Sequence, residues 1–283
     1  MTKTAKRARS VICSAVSFLM SLTFTLTVLC IALSLTALNP KFAVKTAVRS
    51  QYSEHLVTEL KEEFISFGSA CNIDAAFFDS IFTDVITPAV IDRDTAAVLE
   101  EFYTGTVQEK RDTAVLEEAL YAQLRIYAEE KGIALTGEAN ENLRGIAAEL
   151  CDVYNAYVSV FSMSAFKTAS RMLARYRPFV WYAAAAGAVV FCICAGILRL
   201  YFQKKKNYLR YFIYAFSGAA LMLLTAPLIA LIMDAGGNIN ISNASLYDFA
   251  TGMINGVLGI LAASAAIPTA ITACLAAVRH RDL

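Results

Sequence analysis

Four stretches of the chain are almost uncharged, and between the first two the apolar residues recur every three or four positions. A helix that crosses a bilayer needs about 20 consecutive apolar residues. The runs 11–38, 178–202, 211–233 and 250–278 all meet that requirement, the second interrupted only by Arg199 near its end. Four transmembrane helices are predicted. The first could instead be a cleaved signal peptide, since Lys3, Lys6, Arg7 and Arg9 precede it. Its apolar run is far longer than the roughly 7–15 residues of a signal core, so an uncleaved anchor is expected. Leu29 before Cys30 lacks the small residue that a lipid-anchor site would want.

Residues 39–177 carry helical periodicity. Tyr52, Leu56, Leu60, Phe64 and Phe67 form one stripe, and Phe77, Phe78, Ile81, Phe82 and Val85 a second. Ala97, Leu99 and Phe102 mark a short third helix, with Asp92 or Asp94 as its cap. Val115, Leu116, Leu120, Leu124 and Tyr127 mark a fourth, capped by Asp112 or Thr113 and ended at Gly132. The fifth opens at Thr136 and Gly137 and meets no turn signal before Arg177, about 60 Å of helix at 1.5 Å per residue. A helix over Phe42–Phe67 is expected to follow span 1 after Asn39-Pro40. Two helical stalks would then join this domain to the bilayer.

Composition agrees with a membrane protein. Of 283 residues, 57% are hydrophobic and 17% charged, with a mean hydropathy of +0.52. Soluble domains run near 45–50% and 25%. Seven scattered cysteines do not make a disulfide-rich secreted scaffold.

The net charge of +1 hides a segregation that sets orientation. Residues 1–10 carry four bases, Arg199, Lys204, Lys205, Lys206 and Arg210 flank the 203–210 turn, and Arg279 and Arg281 fall in 279–283. Those eleven bases face one acid, Asp282, whereas loop 234–249 has two acids and no base. By the positive-inside rule both termini and the turn are cytoplasmic. Segment 39–177, with 14 bases and 21 acids, lies outside. The expected fold is all-α: a four-helix transmembrane bundle with a large helical extracytoplasmic domain inserted between spans 1 and 2.

Little catalytic chemistry is legible. The spans hold no central ionisable group, the usual mark of proton relays and ion pathways. Asp234 and Asp248 sit at outer span ends and read as interfacial acids. His55 and His280 fall on opposite predicted sides, and no zinc-binding, Walker A or nucleophile-elbow pattern occurs. Cys192 and Cys194 are two apart on a helix and face differently, as small apolar residues. No enzyme activity and no cofactor are expected. Lys204–Lys206 beside two spans determine topology and touch anionic headgroups rather than nucleic acid.

Gly252, Gly256 and Gly259 permit close helix packing, either inside the bundle or between two copies of the chain. Pro227 and Pro268 are expected to kink spans three and four. Asn240-Ile241-Ser242 and Asn243-Ala244-Ser245 match the N-glycosylation pattern but lie close to the membrane. Cys71 and Cys151 are the two cysteines placed outside. They could pair if the first and fifth domain helices pack side by side, or Cys151 is simply a small core residue.

The basic start, Leu38-Asn39-Pro40-Lys41-Phe42, Phe82-Thr83-Asp84-Val85-Ile86-Thr87 and Gly132-Ile133-Ala134-Leu135-Thr136 resemble a group of uncharacterised four-span membrane proteins of Gram-positive bacteria with a helical external domain. That resemblance implies no activity. The one-plus-three topology is also similar to the permease subunits of mechanotransmitting ABC systems, such as the cell-division and macrolide-export permeases, although the 203–210 turn is short for a coupling helix. The expected role is a non-enzymatic protein of the cell membrane whose external domain binds a partner or senses the envelope. Its expected partners are the lipid bilayer and either a second copy or another envelope protein. The permease-like role is the alternative.

Overall fold

The computed structural model describes residues 3–108, 111–202 and 208–281, with side chains from residue 10 onward except at 164 and 165. Among these residues there are eleven α-helices, one 3-10 turn and no strand. The fold is all-helical, as expected.

Helix α1, Lys3–Leu35, contains neither glycine nor proline to interrupt it. It ends where the chain approaches Pro40, because the residue before a proline is disfavoured in helical geometry. Pro40 then starts α2, Pro40–Arg49, at a position where its missing N–H costs nothing. The expected helix over Phe42–Phe67 is in fact two. Gln51 takes a left-handed conformation at φ 53°, and α3 begins at Tyr52 and runs to Ala70. The sequence offers no glycine at that corner, so the break was not legible.

Helix α4 covers Ala75–Asp84. Helix α5, Pro88–Thr104, starts at Pro88 rather than at an Asp92 or Asp94 cap, and both aspartates lie inside it. Its buried stripe is Ile91, Thr95, Val98, Leu99 and Tyr103. Helix α6, Ala114–Glu130, is followed by Gly132 at φ 71°, the left-handed residue its pattern calls for. Helix α7, Gly137–Val158, is capped by the Thr136 hydroxyl, which accepts from the Ala139 N–H at 3.2 Å.

The single long fifth helix expected between Glu138 and Arg177 is also divided. A 3-10 turn, Val160–Ser162, separates α7 from α8, Ser164–Tyr201. No glycine or proline marks the turn. Phe161 is drawn inward against Phe102 and Phe249 at ring distances of 6.1 and 5.6 Å, and this burial outweighs helical continuity. Helix α9 is Tyr208–Ile232, with Pro227 inside it. The fourth apolar stretch is broken at Ala265 into α10, Ala244–Ser264, and α11, Ala266–Arg281. Pro268 lacks the N–H that would meet the Ser264 carbonyl, which places the break there.

The chain forms two compact units. One comprises Met1–Asn39, Arg175–Ile239 and Met253–Leu283. It contains most of the four stretches that are long and apolar enough to cross a membrane, Ser10–Leu35, Phe166–Tyr201, Tyr208–Ile232 and Ala244–Arg281. In it α9 packs on α1 and α11. Phe24 sits between Phe191 and Phe216 at 5.6 and 5.2 Å, and a side chain at Gly187 or Gly218 would collide with Thr27 or Ser21.

The other unit is Pro40–Ala174 together with Asn240–Gly252. Its core gathers the stripes of α3 to α7: Leu56, Leu60, Phe64, Phe78, Ile81, Val98, Leu120 and Leu150 are all buried. Phe64 meets Phe82 and Phe78 edge-on at 5.3 and 6.1 Å. Gly68 lets α4 approach, since a Cβ there would lie 2.3 Å from the Phe78 ring.

Candidate functional site

The helical unit holds a cleft of about 450 Å³ between the ends of α4 and α6 and the faces of α5 and α7. Asp94, on α5, is its organising residue. Its carboxylate accepts from the Tyr154 hydroxyl at 2.7 Å and from the Arg93 Nε at 3.1 Å. Its backbone carbonyl accepts from the Arg111 guanidinium at 3.0 Å. Arg111 also lies 3.8 Å from Glu101. Burial, then the bond to Asp94 and that group's charge, hold the Tyr154 phenol far above its usual range.

Both guanidiniums therefore face a carboxylate, whereas two acids at the mouth face no cation among the described residues. Among the described residues Asp112 accepts only the Ala114 N–H, at 3.0 Å, where it favours the start of α6. Asp84 is exposed at the last position of α4 and makes no ion pair among the described residues. The remaining wall is aliphatic: Val85, Val90, Leu116 and Val115, the last 87% exposed. The cleft offers a charged rim and an apolar face, with Asp94 and Tyr154 committed to each other. Thr113 and Ala119 complete its lining.

A second polar cluster fastens residues 240–252 to α3. Glu59 accepts the backbone N–H of Ser245 at 3.0 Å and its hydroxyl at 2.8 Å. A carboxylate at the first turn of α10 satisfies an N–H that has no partner within the helix. One turn further on, Asp248 Oδ2 lies 2.8 Å from His55 Nδ1, close enough for an ion pair though not aligned as a hydrogen bond. Phe249 stands edge-on to Tyr52 and Phe161 at 5.9 and 5.6 Å. Serine, histidine and carboxylates are thus close together, but Ser245 is committed to Glu59 and the imidazole to Asp248. That pairing ties residues 240–252 to α3.

The residues singled out from sequence fall elsewhere. Cys151 is buried on α7, Cys71 is half-buried at the end of α3, and no disulfide joins them. On α8, Cys194 is buried and Cys192 exposed. Gly252 lies close to α2, where an added Cβ would be 3.0 Å from the Thr46 methyl. Gly256 is half-buried, and Gly259 is exposed with open space around it. Arg210 donates to the Tyr214 hydroxyl at 2.5 Å. Lys204, Lys205 and Lys206 lie outside the described residues. Among the described residues no three His, Cys, Asp or Glu side chains are grouped to hold a metal ion.

The sequence reading missed both clusters. It took Asp94 as a cap, Tyr154 as core, and Asp248 as a solvated interfacial acid. The one available signal was the pair of adjacent Arg-Asp dipeptides, Arg93-Asp94 and Arg111-Asp112, near aliphatic residues, which is too common to stand out. Comparison with family models, curated proteins and solved structures finds no match for this chain.

Proposed function

We propose that this chain is a multi-pass protein of the cell membrane, with both termini cytoplasmic, that carries its helical unit on the outer side and binds a partner there without catalysis of its own. The cleft around Asp94 carries the reading. There a cavity of about 450 Å³, an exposed aliphatic lip and charged groups coincide. Such a combination suits recognition, because apolar surface supplies affinity and the charges supply selectivity. The eleven bases against one acid on the opposite side support the orientation.

The permease-like alternative is favoured by one observation. Helix α8 runs 38 residues without interruption and contributes to both compact units. A protein that transmits movement requires such an element, and it also requires an ATPase partner.

Single cysteines at Glu141 and Asn238 should react with an impermeant maleimide on intact cells, and one at Lys205 only after permeabilisation. Reaction at Lys205 in intact cells overturns the orientation. A photo-activated cross-linker at Val115 should then capture a defined envelope component in living cells, and one at the exposed Glu129 of α6 should not. Co-purification of a stoichiometric ATPase with the intact chain favours the alternative.

A further inference from the structure

Building on partner binding at this cleft, we propose that its occupant is a basic peptide segment, a lysine or arginine side chain flanked by aliphatic residues. The charge balance at the cleft selects that class. Arg93 faces Asp94, and Arg111 faces Glu101 and the Asp94 carbonyl, and the three lining aspartates, Asp84, Asp94 and Asp112, outnumber these two arginines. What remains at the mouth is negative.

Asp84 carries most of this. It occupies the final position of the ten-residue helix α4, where the helix dipole is already negative. An acid there is repelled by the last carbonyls, and no cation among the described residues relieves it. A cationic side chain entering the cleft would pair with Asp84 and face the same helix end, gaining from both. Asp112 on the opposite rim adds a second negative charge, and residues 39–177 as a whole carry a net charge of −7. That field would raise the encounter rate of a basic partner and repel an acidic one.

The aliphatic part of the cleft selects for the stem of such a side chain and for its neighbours. Val85, Val90, Leu116 and Val115 line the same cleft as the acids. Lysine and arginine place three or four methylenes along such surface while the charged end reaches a carboxylate. The volume is suited to one long side chain with an aliphatic neighbour, not to a folded domain.

The test uses the full chain in nanodiscs of neutral lipid and three fluorescently labelled, acetylated and amidated peptides: Leu-Lys-Leu-Lys, Leu-Gln-Leu-Gln and Leu-Glu-Leu-Glu. Empty nanodiscs are titrated in parallel to subtract partition into lipid. The lysine peptide should bind about tenfold or more tightly than the glutamate peptide. Its affinity should fall as salt rises. Asp84→Asn should weaken it roughly fivefold, the size of one partly exposed ion pair, without lowering thermal stability. Val115→Asp should reduce binding of the glutamine peptide.

Equal binding of all three peptides, abolished by Val115→Asp, would overturn the basic selectivity and leave the cleft as a partner site. Preferential binding of the glutamate peptide would do the same. Failure of every peptide to bind a chain that melts normally overturns the proposal. Capture at Val115 in cells then decides separately whether the cleft binds any partner.

Discussion

The Glu59 carboxylate takes both the backbone N–H and the hydroxyl of Ser245, a residue 186 positions further along the chain. It caps α10 from another helix, and residues 240–252 thereby belong to the same compact unit as α2 to α7.

Removing the hydroxyl in Ser245→Ala leaves Glu59 with one donor of two. Bonds to a charged group contribute about 1.5–3 kcal/mol, and partial exposure of Glu59 places the loss at the lower end. Glu59→Ala removes both and should cost more. Amide hydrogen exchange in residues 240–252 should accelerate in the order wild type, Ser245→Ala, Glu59→Ala. Protection unchanged in Glu59→Ala would mean that the aromatic contacts of Phe249 hold the segment alone.

Stability should also decline on the alkaline side. Tyr154 is held above its ordinary range by burial and then by its bond to Asp94, and Tyr52 by burial and then by the nearby Glu59 charge. An unfolded tyrosine ionises near pH 10. Below that pH both states hold the proton and the contribution of these phenols is fully present. As pH rises above it the unfolded state gives up protons that the folded state retains, so the contribution is progressively lost. The thermal midpoint should therefore fall steeply between about pH 9.5 and 11.5. Tyr154→Phe should flatten that limb and lower the midpoint at pH 7, because Asp94 then lacks a donor. A limb equally steep in Tyr154→Phe and Tyr52→Phe, taken singly and together, would assign the alkaline transition to other groups.

The elements that sequence alone revealed are those whose pattern is local. The α3 stripe Leu56, Leu60, Phe64 and the α6 stripe Leu120, Leu124 are buried as their spacing required. Gly132 ends its helix through its own freedom at positive φ. The breaks at Gln51 and at Val160–Ser162 have no such local cause. In the second case distant residues, Phe102 and Phe249, receive the Phe161 ring that the turn directs inward. The candidate cleft was hidden for the same reason. Asp94 and Tyr154 are 60 residues apart, and nothing in either neighbourhood announces that they meet.

The two outer glycines of α10 separate packing inside the chain from packing between copies. Gly252 faces Thr46 at close range, whereas Gly259 faces open space. Gly252→Leu should lower stability by about 1–3 kcal/mol through overpacking. Gly259→Leu should leave the isolated chain as stable as the parent. If Gly259→Leu instead shifts the chain to a smaller species on size-exclusion with light scattering, a second copy covers that face.

The cysteines of the helical unit give a final test of its packing. Sequence allowed a bond between Cys71 and Cys151 across a loop of about 80 residues, which in the chain-entropy model would add roughly 4–5 kcal/mol. The structure places them in different surroundings instead. Cys71 ends α3 half-exposed, donating its N–H to the Gly68 carbonyl at 2.9 Å, where reagent can reach the thiol. Cys151 lies on the inner face of α7 beside Leu150 and Tyr154, 2% exposed. In a chain that keeps these two cysteines alone, an impermeant maleimide should label Cys71 within minutes under native, non-reducing conditions. Cys151 should react only after unfolding, at a rate that follows the global stability of the unit. Substitution of Cys71 by serine should then leave the melting temperature unchanged, since no cross-link is lost. Two thiols that stay unreactive in denaturant until reductant is added, with a melting temperature lowered by Cys71→Ser, would show that the bond forms.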